Sequence, residues 1–280
     1  MEFITIVLAW ALVQYWGSAT PVHRDEWFNS LLSGLGSYRK QVMLMLVAMI
    51  LLPALAVSWV ISAFDSLLFG LPYLLLNILL LLYCMGRGDF FELVNEYKKR
   101  WQNEDYEGAY LFAHTQLKID ELEGQVSDSQ QLNGLVKREL LYLGYERWFA
   151  VVFYFLLFGV FGALVYRLTS LYRSQCGDEN EIVTLDTIII VLDWIPARLL
   201  ALAFAITGDF VATMTPLMDS LVEPLQSSKK LLSDAAHAAL MITANPALTA
   251  EDNEINALQA LLSRSAVAWL AIIAFLTLLS

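Results

Sequence analysis

The chain has 280 residues, of which 58% are apolar and 16% charged, with a mean hydropathy of +0.57. A soluble domain carries about 25% charged residues, so this is the composition of an integral membrane protein. The net charge of −11 excludes a nucleic-acid binder built on a basic face. Cys84 and Cys176, with three scattered histidines (His23, His114, His237), offer neither a disulfide framework nor metal-ligand spacing, so no metal and no cofactor is expected.

Met1–Trp16 is apolar but lacks a basic leader and a cleavage site, and is expected not to be a cleaved signal peptide. It ends at a breaker cluster, Gly17–Pro21. Asp25–Leu35 predicts a short amphipathic helix with Trp27, Phe28, Leu31 and Leu32 on one side. Both pieces are expected on the membrane surface or against the bundle. Spanning segments need about 20 apolar residues. The first is expected at Val42–Ser62, bent by Pro53, and the second at Leu67–Gly86, antiparallel to it across a tight turn.

Arg87–Arg147 is polar and holds eight Lys/Arg, which places it in the cytoplasm by the positive-inside rule, as does Arg39-Lys40 before the first span. Helices are expected within it at 89–102, 105–125 and 130–147. The last carries a helical stripe of Leu132, Leu135, Val136, Leu140 and Leu143, with Glu139 as its polar member. A third span is expected at Trp148–Tyr166, with Gly159 and Gly162 available for close helix contact, followed by Arg167 and Arg173. Ser228–Thr243 predicts an amphipathic helix ended by Asn245-Pro246. A last span is expected at 264–279, as the end of a longer helix that starts near Thr249.

The apolar run 187–207 departs from this pattern. It contains Asp193, Trp194, Pro196 and Arg198 where an ordinary span would carry leucine. Pro196 lacks an N–H and predicts a kink or break. Asp193 is suited to cap a second half-helix starting at Trp194 or Ile195. Each charge at membrane depth costs at least about 2.5–3.5 kcal/mol, so both are expected to turn away from lipid. The expected fold is all-α: a polytopic membrane bundle with one proline-broken or re-entrant helix and a helical cytoplasmic loop. If 187–207 crosses the membrane, Asp209–Arg264 is cytoplasmic; if it re-enters, that region is outside.

Leu192-Asp193-Trp194-Ile195-Pro196-Ala197-Arg198-Leu199, with Gly162-Ala163-Leu164-Val165-Tyr166-Arg167 upstream, resembles the AmpE and CobD/CbiB superfamily of bacterial inner-membrane proteins. The Gly86-Arg87-Gly88-Asp89-Phe90 turn and the span layout are similar to the AmpE branch. That resemblance implies a role beside the cell-wall-recycling amidase AmpD in control of β-lactamase induction. Resemblance to the CobD/CbiB branch implies adenosylcobinamide-phosphate synthase chemistry, in which an amide forms between a carboxylate and an aminopropanol amine. Tyr166-Arg167 matches that branch, while its asparagine before Pro-Ala-Arg-Leu is Asp193 here and its acidic entry to the third span keeps only Glu146. Carboxylates that would hold a metal-nucleotide are therefore depleted.

Three functions follow as alternatives. In the first, the chain is a sensor or signalling modulator with no catalytic residue. Arg167, Arg198 and Arg173 would recognise an anion, with Asp193, Glu146 and Glu139 positioning them and Pro196 and Trp194 in structural roles. The ligand would be a muropeptide, a nucleotide or a membrane-lipid headgroup; a homodimer is left open. In the second, the chain is a membrane enzyme related to the synthase. In the third, it is a muropeptide transporter, for which four or five spans without an internal repeat are few.

Overall fold

The computed structural model of the chain describes residues 2–16, 25–34, 42–64, 70–85, 90–117, 119, 129–222, 227–240 and 250–279. Gly17–Pro21, Arg39-Lys40, Gly86-Arg87-Gly88-Asp89, Asn245-Pro246 and Thr249 lie outside them. Among the described residues every regular element is helical. The helices are α1 (Glu2–Trp16), α2 (Glu26–Gly34), α3 (Val42–Leu46), α4 (Leu52–Ser62), α5 (Leu71–Cys84), α6 (Phe90–Gln102), α7 (Tyr106–Gln116), α8 (Ser129–Gly144), α9 (Val151–Gln175), α10 (Glu179–Thr207), α11 (Phe210–Val222), α12 (Ser228–Leu240) and α13 (Ala250–Leu279). Among the described residues four helical stretches, Leu44–Ser62, Gln131–Gln175, Glu181–Thr207 and Glu254–Leu279, are long and apolar enough to cross a membrane. The all-α helical bundle read from the sequence is the observed fold class.

The chain divides into two compact units, residues 1–88 with 147–193, and residues 89–146 with 194–280. In the first, α1 packs on α5 and α9, and α4 and α5 also pack on α9. A π-helical turn at Val47–Leu51 joins α3 to α4, with the N–H of Leu52 donating to the carbonyl of Val47. Pro53, which has no N–H to give, follows directly, so the wide turn absorbs it. Helix α2 buries Phe28 and Leu32 and leaves Trp27 and Leu31 exposed at 39% and 38%. The ring of Phe28 meets Tyr172 of α9 edge-on at 6.1 Å.

In the second unit, helices α6, α7, α8 and the start of α13 enclose an apolar core that includes Val94, Tyr97, Trp101, Phe112, Val136 and Ile255. The predicted stripe on α8 builds part of it: Leu132, Val136 and Leu140 are buried, and Leu135 and Leu143 pack against them. Glu139 pairs with Lys229 of α12, which packs along α8. Lys137 pairs with Glu254 of α13.

Two features differ from the sequence expectation. Helix α10 runs continuously through Pro196, where the sequence predicts a kink or break, and Asp193 sits inside it instead of capping a second half. Pro196 cannot donate to the carbonyl of Leu192, but the hydroxyl of Tyr154 donates to that oxygen at 2.6 Å. With the freed acceptor satisfied from outside, the helix has no reason to open. The break falls instead in α9. Gly159 has φ 61° and ψ −150°, a backbone state reserved for glycine. Tyr154 and Tyr166 stack with ring centroids 5.5 Å apart across it. In a straight helix twelve residues would separate them by about 18 Å, so the two arms of α9 meet at a sharp bend. Gly162 is required by the same bend, since a Cβ there would lie 2.4 Å from the Tyr154 carbonyl oxygen. The glycines serve contact within their own helix.

Candidate functional site

The polar residues of the first unit gather on α9. Arg167 has a side chain 15% exposed, and its Nη2 stands 3.9 Å from Oδ2 of Asp25. Its Nε is buried and has no hydrogen-bond partner among the described residues. Asp25 is 5% exposed and starts α2, its carbonyl accepting the N–H of Phe28 and of Asn29. Its Oδ1 accepts from the hydroxyl of Tyr83 at 3.2 Å, and that hydroxyl oxygen accepts from Nε1 of Trp27 at 3.2 Å. One helix start, one helix end and one mid-helix arginine thus converge on a single carboxylate. The sequence offered the acid before an amphipathic helix as its only signal. Nothing in spacing connects residues 25, 83 and 167.

Further along α9, Arg173 pairs through Nε and Nη2 with the two carboxylate oxygens of Asp186. Tyr172 and the Cys176 thiol both donate to Oε2 of Glu181, at 3.0 and 2.9 Å. Glu181 is only 1% exposed. Asp193, also 1% exposed, accepts from the Tyr166 hydroxyl at 2.9 Å.

The other predicted residues belong to the second unit. Arg198 is 8% exposed, lies over the Trp194 ring at 4.4 Å, and donates to the carbonyls of Trp194 and Ser220. Ser220 lies near the end of α11, so this guanidinium fastens α11 to α10 and quenches carbonyls that lipid would leave bare. Glu139 accepts twice from Lys229, at 3.0 and 2.8 Å, and the ammonium also lies 4.9 Å from the centroid of the Tyr142 ring. Glu146 is half-buried in the π-helical turn Tyr145–Ala150 between α8 and α9.

Each predicted arginine therefore has its own neighbour: Asp25 for Arg167, Asp186 for Arg173, two carbonyls and a ring for Arg198. They differ in what engages them. Among the described residues Arg173 and Arg198 have acceptors within hydrogen-bond reach, although Nε of Arg198 is buried without one, whereas the carboxylate nearest Arg167 stands 3.9 Å away. A guanidinium in a membrane helix with idle donors is suited to an incoming anion. Among the described residues no group of three or more His, Cys, Asp or Glu is arranged to hold a metal ion.

No curated protein and no solved structure matches the chain. A family model does, over residues 1–280, and its description is "Regulatory signalling modulator protein AmpE". With the whole length matched, the chain belongs to the AmpE family of regulatory signalling modulators.

Proposed function

We propose that the chain is an inner-membrane sensor that recognises an anionic ligand at Arg167 and modulates β-lactamase induction together with the AmpD amidase. The supporting observation is the state of Arg167: enclosed, 3.9 Å from its nearest carboxylate, and with an Nε that has no hydrogen-bond acceptor among the described residues. An unsatisfied donor away from water costs several kcal/mol, so an acceptor that filled the position would bind with that gain. Arg173 lies further along the same helix as a second cation, and Asp193 holds that helix through Tyr166. Residues 87–147 face the cytoplasm in this reading, on the strength of their lysines and arginines. That polar unit is the part a soluble amidase-pathway partner would meet. The residues favour an anion over any particular ligand: a muropeptide, a nucleotide and a lipid headgroup all carry the carboxylate or phosphate oxygens that a guanidinium fork recognises.

The test is Arg167→Ala beside Arg167→Lys in cells whose β-lactamase is inducible. A charge-assisted hydrogen bond is worth about 1.5–3 kcal/mol, roughly 10- to 100-fold in affinity. The alanine variant should insert normally and lose the modulation, and the lysine variant should keep part of it. An induction curve indistinguishable from wild type, with Arg167→Ala present in the membrane at normal levels, would refute the reading.

A further inference from the structure

The surroundings of Arg167 specify the ligand more narrowly. Asp25 is the residue that neutralises it, yet the 3.9 Å separation lies beyond hydrogen-bond distance. Asp25 is drawn away because its Oδ1 is held by Tyr83 and its backbone is committed to the first turn of α2. The charge is balanced while, among the described residues, Nε is left without an acceptor. Arg173, two turns later on the same helix, shows the alternative, with its guanidinium engaging both oxygens of Asp186.

The outer side of this cluster is apolar. Trp27 and Leu31, one turn apart on α2, are 39% and 38% exposed, whereas Phe28 and Leu32 beside them are buried. The Trp27 ring is polar only at Nε1, and that atom points inward to Tyr83. A helix that buries one apolar edge in protein and turns a tryptophan and a leucine outward is built for the headgroup level of a bilayer, where tryptophan concentrates.

From this geometry we propose that Arg167 is the seat of an anionic phospholipid headgroup, and that Asp25 is its built-in competitor. The inference rests on the reading of Arg167 as an anion site and names its ligand class and its regulation. A phosphate brings several acceptor oxygens to a guanidinium that the Asp25 carboxylate neutralises without bonding. The Tyr83 hydroxyl, released when Asp25 withdraws, is a second donor for it. Headgroup binding and the Asp25–Arg167 contact exclude one another, so occupancy of the site loosens the start of α2.

The experiment uses the full chain in phosphatidylcholine nanodiscs doped with phosphatidylglycerol, reading lipid retained per protein after exchange by mass spectrometry. Wild type should retain phosphatidylglycerol above its bulk fraction. Asp25→Asn should raise that retention, on the order of threefold, as the carboxylate competing for the guanidinium loses its charge. Asp25→Glu, one methylene longer, should close the gap to Arg167 and lower it. Arg167→Ala should bring retention down to the bulk fraction. If Arg167→Ala changes nothing, the anion site itself is refuted. If Arg167→Ala abolishes retention but the two Asp25 variants fail to move it in opposite directions, the site stands and the competitor role falls. Glycerol phosphate bound with no enrichment of phosphatidylglycerol overturns the lipid assignment, leaving a soluble phosphate as the ligand.

Discussion

At the scale of single residues, the bend in α9 depends on two missing side chains. Gly159 adopts φ 61° and ψ −150°, and the ideal Cβ position of Gly162 lies 2.4 Å from the Tyr154 carbonyl oxygen and 2.9 Å from Phe158 Cβ. Neither neighbour is the free end of a flexible chain, so neither can yield without moving backbone. Gly159→Ala should destabilise the folded protein by about 1–3 kcal/mol, the usual cost of a side chain in a glycine-only backbone state. Gly162→Ala should be at least as damaging. Thermal unfolding in detergent checks both, and Gly134→Ala, where a Cβ meets nothing within 4 Å, is the control. The glycine pair is visible in the sequence, but its two uses are not: small residues let another helix approach, and they also let a helix bend onto itself.

At the scale of elements, α10 shows how a proline can be hidden. Its missing N–H frees the carbonyl of Leu192, and Tyr154, 38 residues earlier, supplies the hydroxyl that closes it. The neighbouring Asp193 is met in the same way by Tyr166, and the two tyrosines stack on each other because Gly159 brings the arms of α9 together. The bend in one helix thus preserves the continuity of the next. Tyr154→Phe keeps the ring and removes only the donor. It should lower stability by about 1–3 kcal/mol, the cost of leaving a buried acceptor unsatisfied. It should also speed amide hydrogen exchange around residues 192–197 relative to the rest of α10. Unchanged exchange there would mean that the Leu192 carbonyl finds another donor.

At the scale of the whole molecule, the packing of the second unit yields a topology prediction. Helix α12 packs along α8, with Lys229 on Glu139, and α13 begins beside them, with Glu254 on Lys137. This packing predicts that residues 228–240 lie on the same side of the membrane as α6 and α7. In a background with Cys84 and Cys176 replaced by serine, single cysteines at the exposed Lys99 and Lys230 should react with a membrane-impermeant maleimide from the same side. Labelling from opposite sides would contradict the packing of α12 on α8.

Composition and periodicity alone determined that the chain is helical and membrane-embedded, because burying apolar stretches in lipid requires every backbone group to be satisfied within its own segment. They also located the core stripe of α8, whose leucines and valine recur at helical spacing and whose one acid found a lysine. Only the tertiary structure decided where the chain breaks and how far Arg167 stands from its nearest carboxylate. Both depend on groups far apart in sequence: a tyrosine hydroxyl reaching a proline-freed carbonyl, and a carboxylate at residue 25 stopping 3.9 Å short of a guanidinium at residue 167. A helix propensity or a motif is a property of neighbours along the chain, whereas the satisfaction of a buried donor is a property of neighbours in space.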